Sequence, residues 1–150
     1  MRTCAATKST LHLIKPLGFK LDEQHLRRSA MDYIDDLTYF VYENLEEFTL
    51  KYPNDCFYIT RYGKQSPYDV NFKGVEGDVF LMFGKESTGI PKELLKTHLE
   101  RCLRLPMLKT ARSLNLSNSV AIVIYEVLRQ LGFPELSGVE HLKGEDWLTQ

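Results

Sequence analysis

Three short stretches gather glycine, proline and hydroxyl side chains in a way that could cradle a ligand. They are Phe83-Gly-Lys-Glu-Ser-Thr-Gly-Ile-Pro91, Leu103-Arg-Leu-Pro-Met107 and Arg112-Ser-Leu-Asn-Leu-Ser-Asn-Ser119. Gly84 and Gly89 are spaced like the glycines of a phosphate loop, but that motif continues with Lys-Ser/Thr, and here Ile90-Pro91 follows. The dinucleotide fingerprint G-x-G-x-x-G is absent. What remains is a loop whose backbone can approach a bound molecule closely, because Gly84 has no side chain. In the third stretch Ser117 or Asn118 can cap a following helix. Ser113, Asn115, Ser117, Asn118 and Ser119 together exceed what one cap needs, so a binding role and a capping role stand side by side.

Other chemistries fit less well. No G-x-S-x-G elbow is present, and the four histidines (His12, His25, His98 and His141) lie in separate stretches away from the polar clusters, which suits surface or core residues. Cys4, Cys56 and Cys102 are far apart, form no C-x-x-C pair and are odd in number, so neither a disulfide framework nor a zinc knuckle is expected. No His/Cys/carboxylate grouping has ligand spacing, and no metal is expected.

The elements that must position these stretches are short. Leu11-His-Leu-Ile14 is an apolar run closed by the turn signal Lys15-Pro-Leu-Gly18. Residues 22–30 begin acidic and end basic, as suits a helix dipole. Residues 37–42, 56–60, 78–83 and 102–105 read as strands, and 44–51 as a short helix stopped by Pro53. Pro91 suits the first position of another helix. The last long helix spans about 117–131, with Gly132 and Pro134 as stop signals. Its apolar residues cover most of its circumference, which predicts burial against its own sheet or a partner subunit. The near-continuous apolar runs predict strands buried on both faces, hence an α/β fold with a mainly parallel sheet flanked by helices. Each ligand-cradling stretch then falls at the carboxyl end of a strand, where open α/β sheets bind ligands.

With 150 residues, 43% of them hydrophobic and 26% charged, the chain has the composition of one globular domain. No apolar run reaches the ~18 residues of a membrane span, the amino terminus lacks a secretion-signal core, and a reducing cytoplasm is the expected location. The net charge of −1 hides an uneven distribution. Residues 1–30 hold six bases and two acids, 31–50 hold six acids and no base, and 101–130 hold five bases and one acid. If the two basic stretches meet in space, they form a face suited to phosphates; sorted charge also fits plain solvated helix faces.

Taken together, Leu81-Met-Phe-Gly-Lys-Glu-Ser-Thr-Gly-Ile-Pro91, Arg104-Leu-Pro-Met107 and Ser113-Leu-Asn-Leu-Ser-Asn118 resemble the signature motifs of the SPOUT class of RNA methyltransferases. The likeness is greatest to the single-domain group that methylates the ribose 2′-hydroxyl of the tRNA wobble nucleotide, cytidine or uridine. Lys15-Pro-Leu-Gly-Phe19, Leu26-Arg-Arg-Ser-Ala30 with Asp32-Tyr33, and Val123-Ile-Tyr-Glu126 with Arg129-Gln-Leu-Gly132 extend it to about Pro134. The resemblance implies a methyltransferase domain over 1–134, a carboxyl-terminal trefoil knot, a homodimer, and an acidic tail at 135–150 in which Trp147 is a possible anchor. Relatives carry a buried first strand and an Asn-Thr-Gly-Asn loop ahead of the position matched by Arg2; the sequence starting at Met1 lacks both.

The resemblance also implies site residues. S-adenosylmethionine, leaving as S-adenosylhomocysteine, would be held by Ile59, Gly84, Leu105 and Ser113. Ile59 and Leu105 would flank the adenine, although ordinary core packing explains their types equally well. Arg2 and Asn115 would stand at methyl transfer, with Glu86 and Tyr125 in support. A guanidinium stays protonated below about pH 12, which favours electrostatic positioning over base catalysis for Arg2. Arg27, Arg28, Lys109 and Arg112 would contact the tRNA anticodon stem-loop; charge complementarity to a helix carboxyl end explains Arg27 and Arg28 as well. Two alternatives remain: the same chemistry on another RNA such as rRNA, and a non-catalytic RNA-binding or dimerisation module.

Overall fold

The computed structural model describes residues 1–19, 36–53, 56–144 and 146–149. The expected helix over 22–30 therefore lies outside the described residues, and Arg27 and Arg28 with it.

Three strands form a wholly parallel sheet: β3 (Cys56–Ile59) at the centre, β4 (Phe80–Phe83) on one side and β5 (Cys102–Leu103) on the other. A second parallel pair joins β1 (Leu11–Ile14) to β2 (Tyr39–Tyr42). The two sheets share a core though no ladder joins them among the described residues. The α/β architecture with parallel sheets agrees with the apolar runs in the sequence.

Alternation along β3 sends its side chains into two cores. Cys56 and Tyr58 join Tyr42, Phe48, Ile90, Leu95 and Cys102, beneath α2 (Leu45–Lys51) and α3 (Lys92–Lys96). Phe57 and Ile59 face the other way, towards Phe72, Leu103 and Val127 of the long helix α4 (Leu116–Leu131). The opening helix α1 (Arg2–Ala6) contributes Cys4 and Ala5 to a third cluster, against which Leu11 and Ile124 pack.

Helix ends follow local chemistry. Asn44 caps α2 by accepting from Glu47 N at 2.8 Å, with Glu46 and Glu47 in the first turn and Lys51 in the last. Gly132, at φ 82°, closes α4 in the left-handed conformation expected of a terminating glycine. Pro91 precedes the first turn of α3 rather than opening it.

Several expectations need correction. β2 is not buried on both faces: Tyr39, Phe40 and Val41 are exposed and Tyr42 alone is buried, and among the described residues β2 pairs only with β1. β5 ends at Leu103 because the chain then turns to pair with Gln65, Arg104 N donating to Gln65 O at 2.8 Å. α4 buries one face within the chain, through Val123, Glu126 and Val127, and leaves Ile122, Tyr125 and Leu131 exposed, which the expected burial against a partner subunit allows. Trp147 is 55% exposed, and among the described residues its ring is met by Lys143 Nζ at 5.1 Å.

Glu126, a carboxylate on the buried face of α4, is fully partnered. It accepts from Arg129 Nε at 2.9 Å, Arg129 Nη2 at 3.0 Å and Gln130 Nε2 at 2.8 Å, and the Arg129 contacts hold its pKa below the usual range. Gln130 in turn donates to Val70 O and accepts from Phe72 N, both at 2.9 Å. This stitches the segment after β3 to the long helix.

Candidate active site

The parallel registers bring the carboxyl ends of β4, β3 and β5 side by side. Ile59 is opposite Phe83 on one flank and Leu103 on the other, so Gly84 and Leu105 leave the sheet at the same end. Ile59 is half-buried and Leu105 buried. Three of the four positions expected to hold the cofactor thus share one end of one sheet. Ser113 is exposed on the loop between β5 and α4, and among the described residues no hydrogen bond ties it to the other three.

Gly84 has a stronger reason for being glycine than openness to a ligand. A methyl group there would stand 2.2 Å from the Gly89 carbonyl carbon and 2.4 Å from Ile90 N, so the chain's own return fills that space. The return is fixed by Gly89 N donating to Lys85 O at 2.8 Å, with Gly89 at φ 71°. Gly63, a position without any signal in its polar loop, does the same against β5: its methyl would meet the Leu103 carbonyl carbon at 2.5 Å. Two backbone-on-backbone contacts therefore lock the loops at this end of the sheet.

Asn115 caps α4, in place of Ser117 or Asn118. Its Oδ1 accepts from Ser117 N at 2.9 Å and Asn118 N at 3.4 Å. Both partners are N–H donors, so the amide orientation is determined and Nδ2, with its two hydrogens, is turned to other use. All three candidates are good capping types. Which of them caps is decided by where helical geometry begins, at Leu116, so that the cap falls two residues before Ser117.

Arg2 opens α1, which packs against α4 at the level of Ile124. Ile124 lies nine residues, about 13 Å of helix, beyond the Asn115 cap. Glu86 is exposed in the loop after β4, and Tyr125 is 48% exposed on α4 with its ring 6.4 Å from Phe133. Lys109 and Arg112 are exposed on the loop that also carries Ser113. Among the described residues no group of three or more His, Cys, Asp or Glu side chains could hold a metal ion.

A shallow concavity lies elsewhere. About 340 Å³ in volume, it is lined by Lys15, Pro16, Leu17, Phe19 and Glu43 beyond the ends of β1 and β2, and contains none of the expected cofactor residues. Lys15 Nζ and Glu43 Oε1 are paired at 2.6 Å within it, so its polar groups already satisfy each other. The locked end of the three-stranded sheet is the better candidate, because its loops are held by backbone contacts and its apolar floor is half open.

Comparison with known proteins gives this geometry a context. A family profile described as the SpoU rRNA Methylase family matches residues 1–125. A Geobacillus stearothermophilus protein, named provisionally as a tRNA (cytidine(34)-2′-O)-methyltransferase, is 47% identical over 137 residues, covering 91% of this chain and 87% of its own. A Bacillus anthracis crystal structure, described provisionally as an RNA methyltransferase, superposes with a TM-score of 0.84 at 42% identity, covering 91% of this chain and 86% of that one. A structure concerned with 2-OH methylation of C/U34 on tRNA gives 0.73 at 37% identity, covering 87% and 80%.

Proposed function

The chain belongs to the SpoU methylase family, and from that premise we propose that it is an S-adenosylmethionine-dependent methyltransferase acting on the ribose 2′-hydroxyl of the wobble nucleotide of tRNA. Identity of 47% to a relative bearing that activity in its name, across nine-tenths of the chain, carries the reading. The substrate base is cytidine or uridine, the domain spans 1–134, and the site of action is the cytoplasm. Among the described residues no helix is long and apolar enough to cross a membrane.

The residues present fit the cofactor. Half-buried Ile59 and buried Leu105 offer apolar surface for an adenine beside loops whose backbone groups are held in place. When bound, the cofactor supplies an electrophilic methyl group on a sulfonium. The chain must orient the ribose hydroxyl, a poor nucleophile, and stabilise charge as its proton leaves. Asn115 is suited to stabilising that charge, because the cap fixes its Oδ1 on the helix and frees its Nδ2 hydrogens to donate to the developing oxyanion. Arg2 adds a fixed positive charge near the ribose-phosphate, and Ser113 a hydroxyl for the cofactor. Glu86 and Tyr125 serve in support, and Lys109 and Arg112 contact RNA phosphates together with Arg27 and Arg28.

We further assign a homodimer. Ile122 and Tyr125 on one flank of α4, and Leu131 and Phe133 at its end, expose 37–48% of their surfaces, apolar area that a second copy could cover. A carboxyl-terminal trefoil knot is consistent with β5 crossing tightly under the 60–66 loop at Gly63.

The test is methyl transfer from S-adenosylmethionine to the total tRNA pool and, in parallel, to rRNA. Nucleoside mass spectrometry should find 2′-O-methylcytidine or 2′-O-methyluridine at the first anticodon position. Methylation of rRNA alone would move the substrate to the ribosome. Binding of S-adenosylhomocysteine with no transfer to either RNA would favour a non-catalytic module.

A further inference from the structure

The carboxyl ends of β3 and β5 lead into two segments free of acid. Residues 56–68 contain Arg61 and Lys64 and no carboxylate; residues 101–125 contain Arg101, Arg104, Lys109 and Arg112 and again none. The fold ties these segments together. Thr60 N donates to Leu103 O at 2.9 Å, Arg104 N to Gln65 O at 2.8 Å, and Arg104 Nη1 to Arg61 O at 3.1 Å. With Gly63 pressed onto the Leu103–Arg104 peptide, the positions of Arg61, Tyr62, Lys64 and Arg104 are set by backbone.

Between these cations stands Tyr62, a large aromatic that is 75% exposed and has the Arg61 guanidinium carbon 5.8 Å from its ring centre. None of the ion pairs among the described residues engages Arg61, Lys64 or Arg104. An exposed ring with a guanidinium over it, flanked by unneutralised cations, is the chemistry with which proteins hold single-stranded nucleic acid: bases stack on the ring and phosphates meet the cations. A solvated, sequence-neutral loop would not need its backbone pinned at three points.

We propose that Arg61, Tyr62, Lys64 and Arg104 form a binding edge for unpaired RNA beside the methyl-transfer crevice, Tyr62 stacking on a base that flanks the target nucleotide while Lys64 and Arg104 hold its phosphates. The proposal rests on the RNA-methylating reading above and adds to it the surface that places the strand. Lys109 and Arg112, further along the same acid-free segment, continue the positive surface towards α4.

The test compares the full chain with Tyr62→Ala, Tyr62→Phe and Lys64→Ala, using an anticodon stem-loop RNA over a range of salt concentrations. Tyr62→Ala should bind the RNA roughly tenfold more weakly with Tyr62→Phe close to wild type, as stacking requires. Lys64→Ala should lower the slope of log affinity against log salt by about one. S-adenosylhomocysteine affinity and thermal midpoint should stay at wild-type values in all three. Wild-type binding that is matched by every variant in affinity and salt slope would overturn the edge while leaving the methyltransferase reading intact. Loss of S-adenosylhomocysteine binding in Tyr62→Ala would also overturn it, by assigning the ring to the cofactor. A wild-type chain that neither binds nor methylates RNA would remove the reading and the edge together.

Discussion

The two sheets of this protein are held in opposite ways. Around β1 and β2, side chains do the holding: the ring of His12 lies 5.3–5.7 Å from those of Phe40, Tyr42, Phe48, Tyr52 and Phe80. At the carboxyl end of the other sheet, backbone meets backbone, and Gly63 and Gly84 leave no room for even a methyl group. The first arrangement gains stability from buried aromatic area and tolerates small shifts. The second sets backbone directly against backbone and so holds the loops in place, which suits a site where misplacement is expensive in rate. On the proposed function, stability and catalysis draw on different regions of the molecule, and substitutions can separate them.

The aromatic side should respond most in stability. Phe48 is 3% exposed and contacts His12, Tyr42 and Tyr52. Phe48→Ala should cost about 3–5 kcal/mol in urea unfolding, while the protein that remains folded binds S-adenosylhomocysteine as wild type does. Next comes Gly84→Ala. Its methyl group meets backbone rather than a movable side chain, so about 3 kcal/mol of strain is expected, and methyl transfer on the order of a hundredfold slower in the fraction still folded. Gly138, with nothing within 4 Å of an added methyl, is the control, and Gly138→Ala should change neither quantity. Equal effects of Phe48→Ala and Gly84→Ala on both readouts would dissolve the distinction between the two regions.

Asn115 sharpens the same division inside one residue, since it caps α4 and is proposed to donate to the reacting oxygen. Asn115→Ala should lose about 1 kcal/mol of stability as any lost cap does, and most of the transfer activity. Asn115→Ser keeps a capping oxygen but has no Nδ2, so it should restore the thermal midpoint and leave transfer low. Recovery of activity in Asn115→Ser would reduce the residue to a helix cap.

These regions were unequally legible in the sequence. Apolar runs located β3 and β4, and Gly132 located the end of α4, because each signal is local. The exposure of β2 was hidden, since residues 39–42 read as buried whichever neighbours a strand has. Gly63 gave no signal either; a glycine in a polar loop looks the same whether or not a strand 40 residues away lies against it. β5 looked longer than it is because its switch from β3 to Gln65 depends on that same distant partner. For the site, strand ends and the family likeness pointed to Ile59, Gly84 and Leu105. The cations at Arg61 and Lys64 gained meaning only once folding brought them beside Arg104. What the chain does to itself nearby could be read, and what distant segments do to each other could not.

The smallest effect probes the aromatic side by pH. Burial lowers the pKa of His12, and the Lys51 ammonium lowers it further. Its Nδ1 is 2.8 Å from the Tyr42 hydroxyl, whose own pKa burial pushes up to about 12, so that phenol stays protonated across the range of interest. A histidine with a depressed folded pKa takes up its proton more readily in the unfolded chain. Its contribution to stability is therefore complete above the ordinary value of about 6.5 and is lost as pH falls from there through the folded pKa. The thermal midpoint should drop by a few degrees between pH 7.5 and 5.5, ahead of the acid loss expected from Glu126, whose carboxylate is depressed and titrates lower still. In His12→Phe the midpoint should be nearly flat over that interval, because the ring stays and the proton acceptor is gone. The same slope in wild type and His12→Phe would show that the aromatic cluster does not exclude the charged imidazole, and would weaken the claim that this side of the molecule is a dry, side-chain-built core.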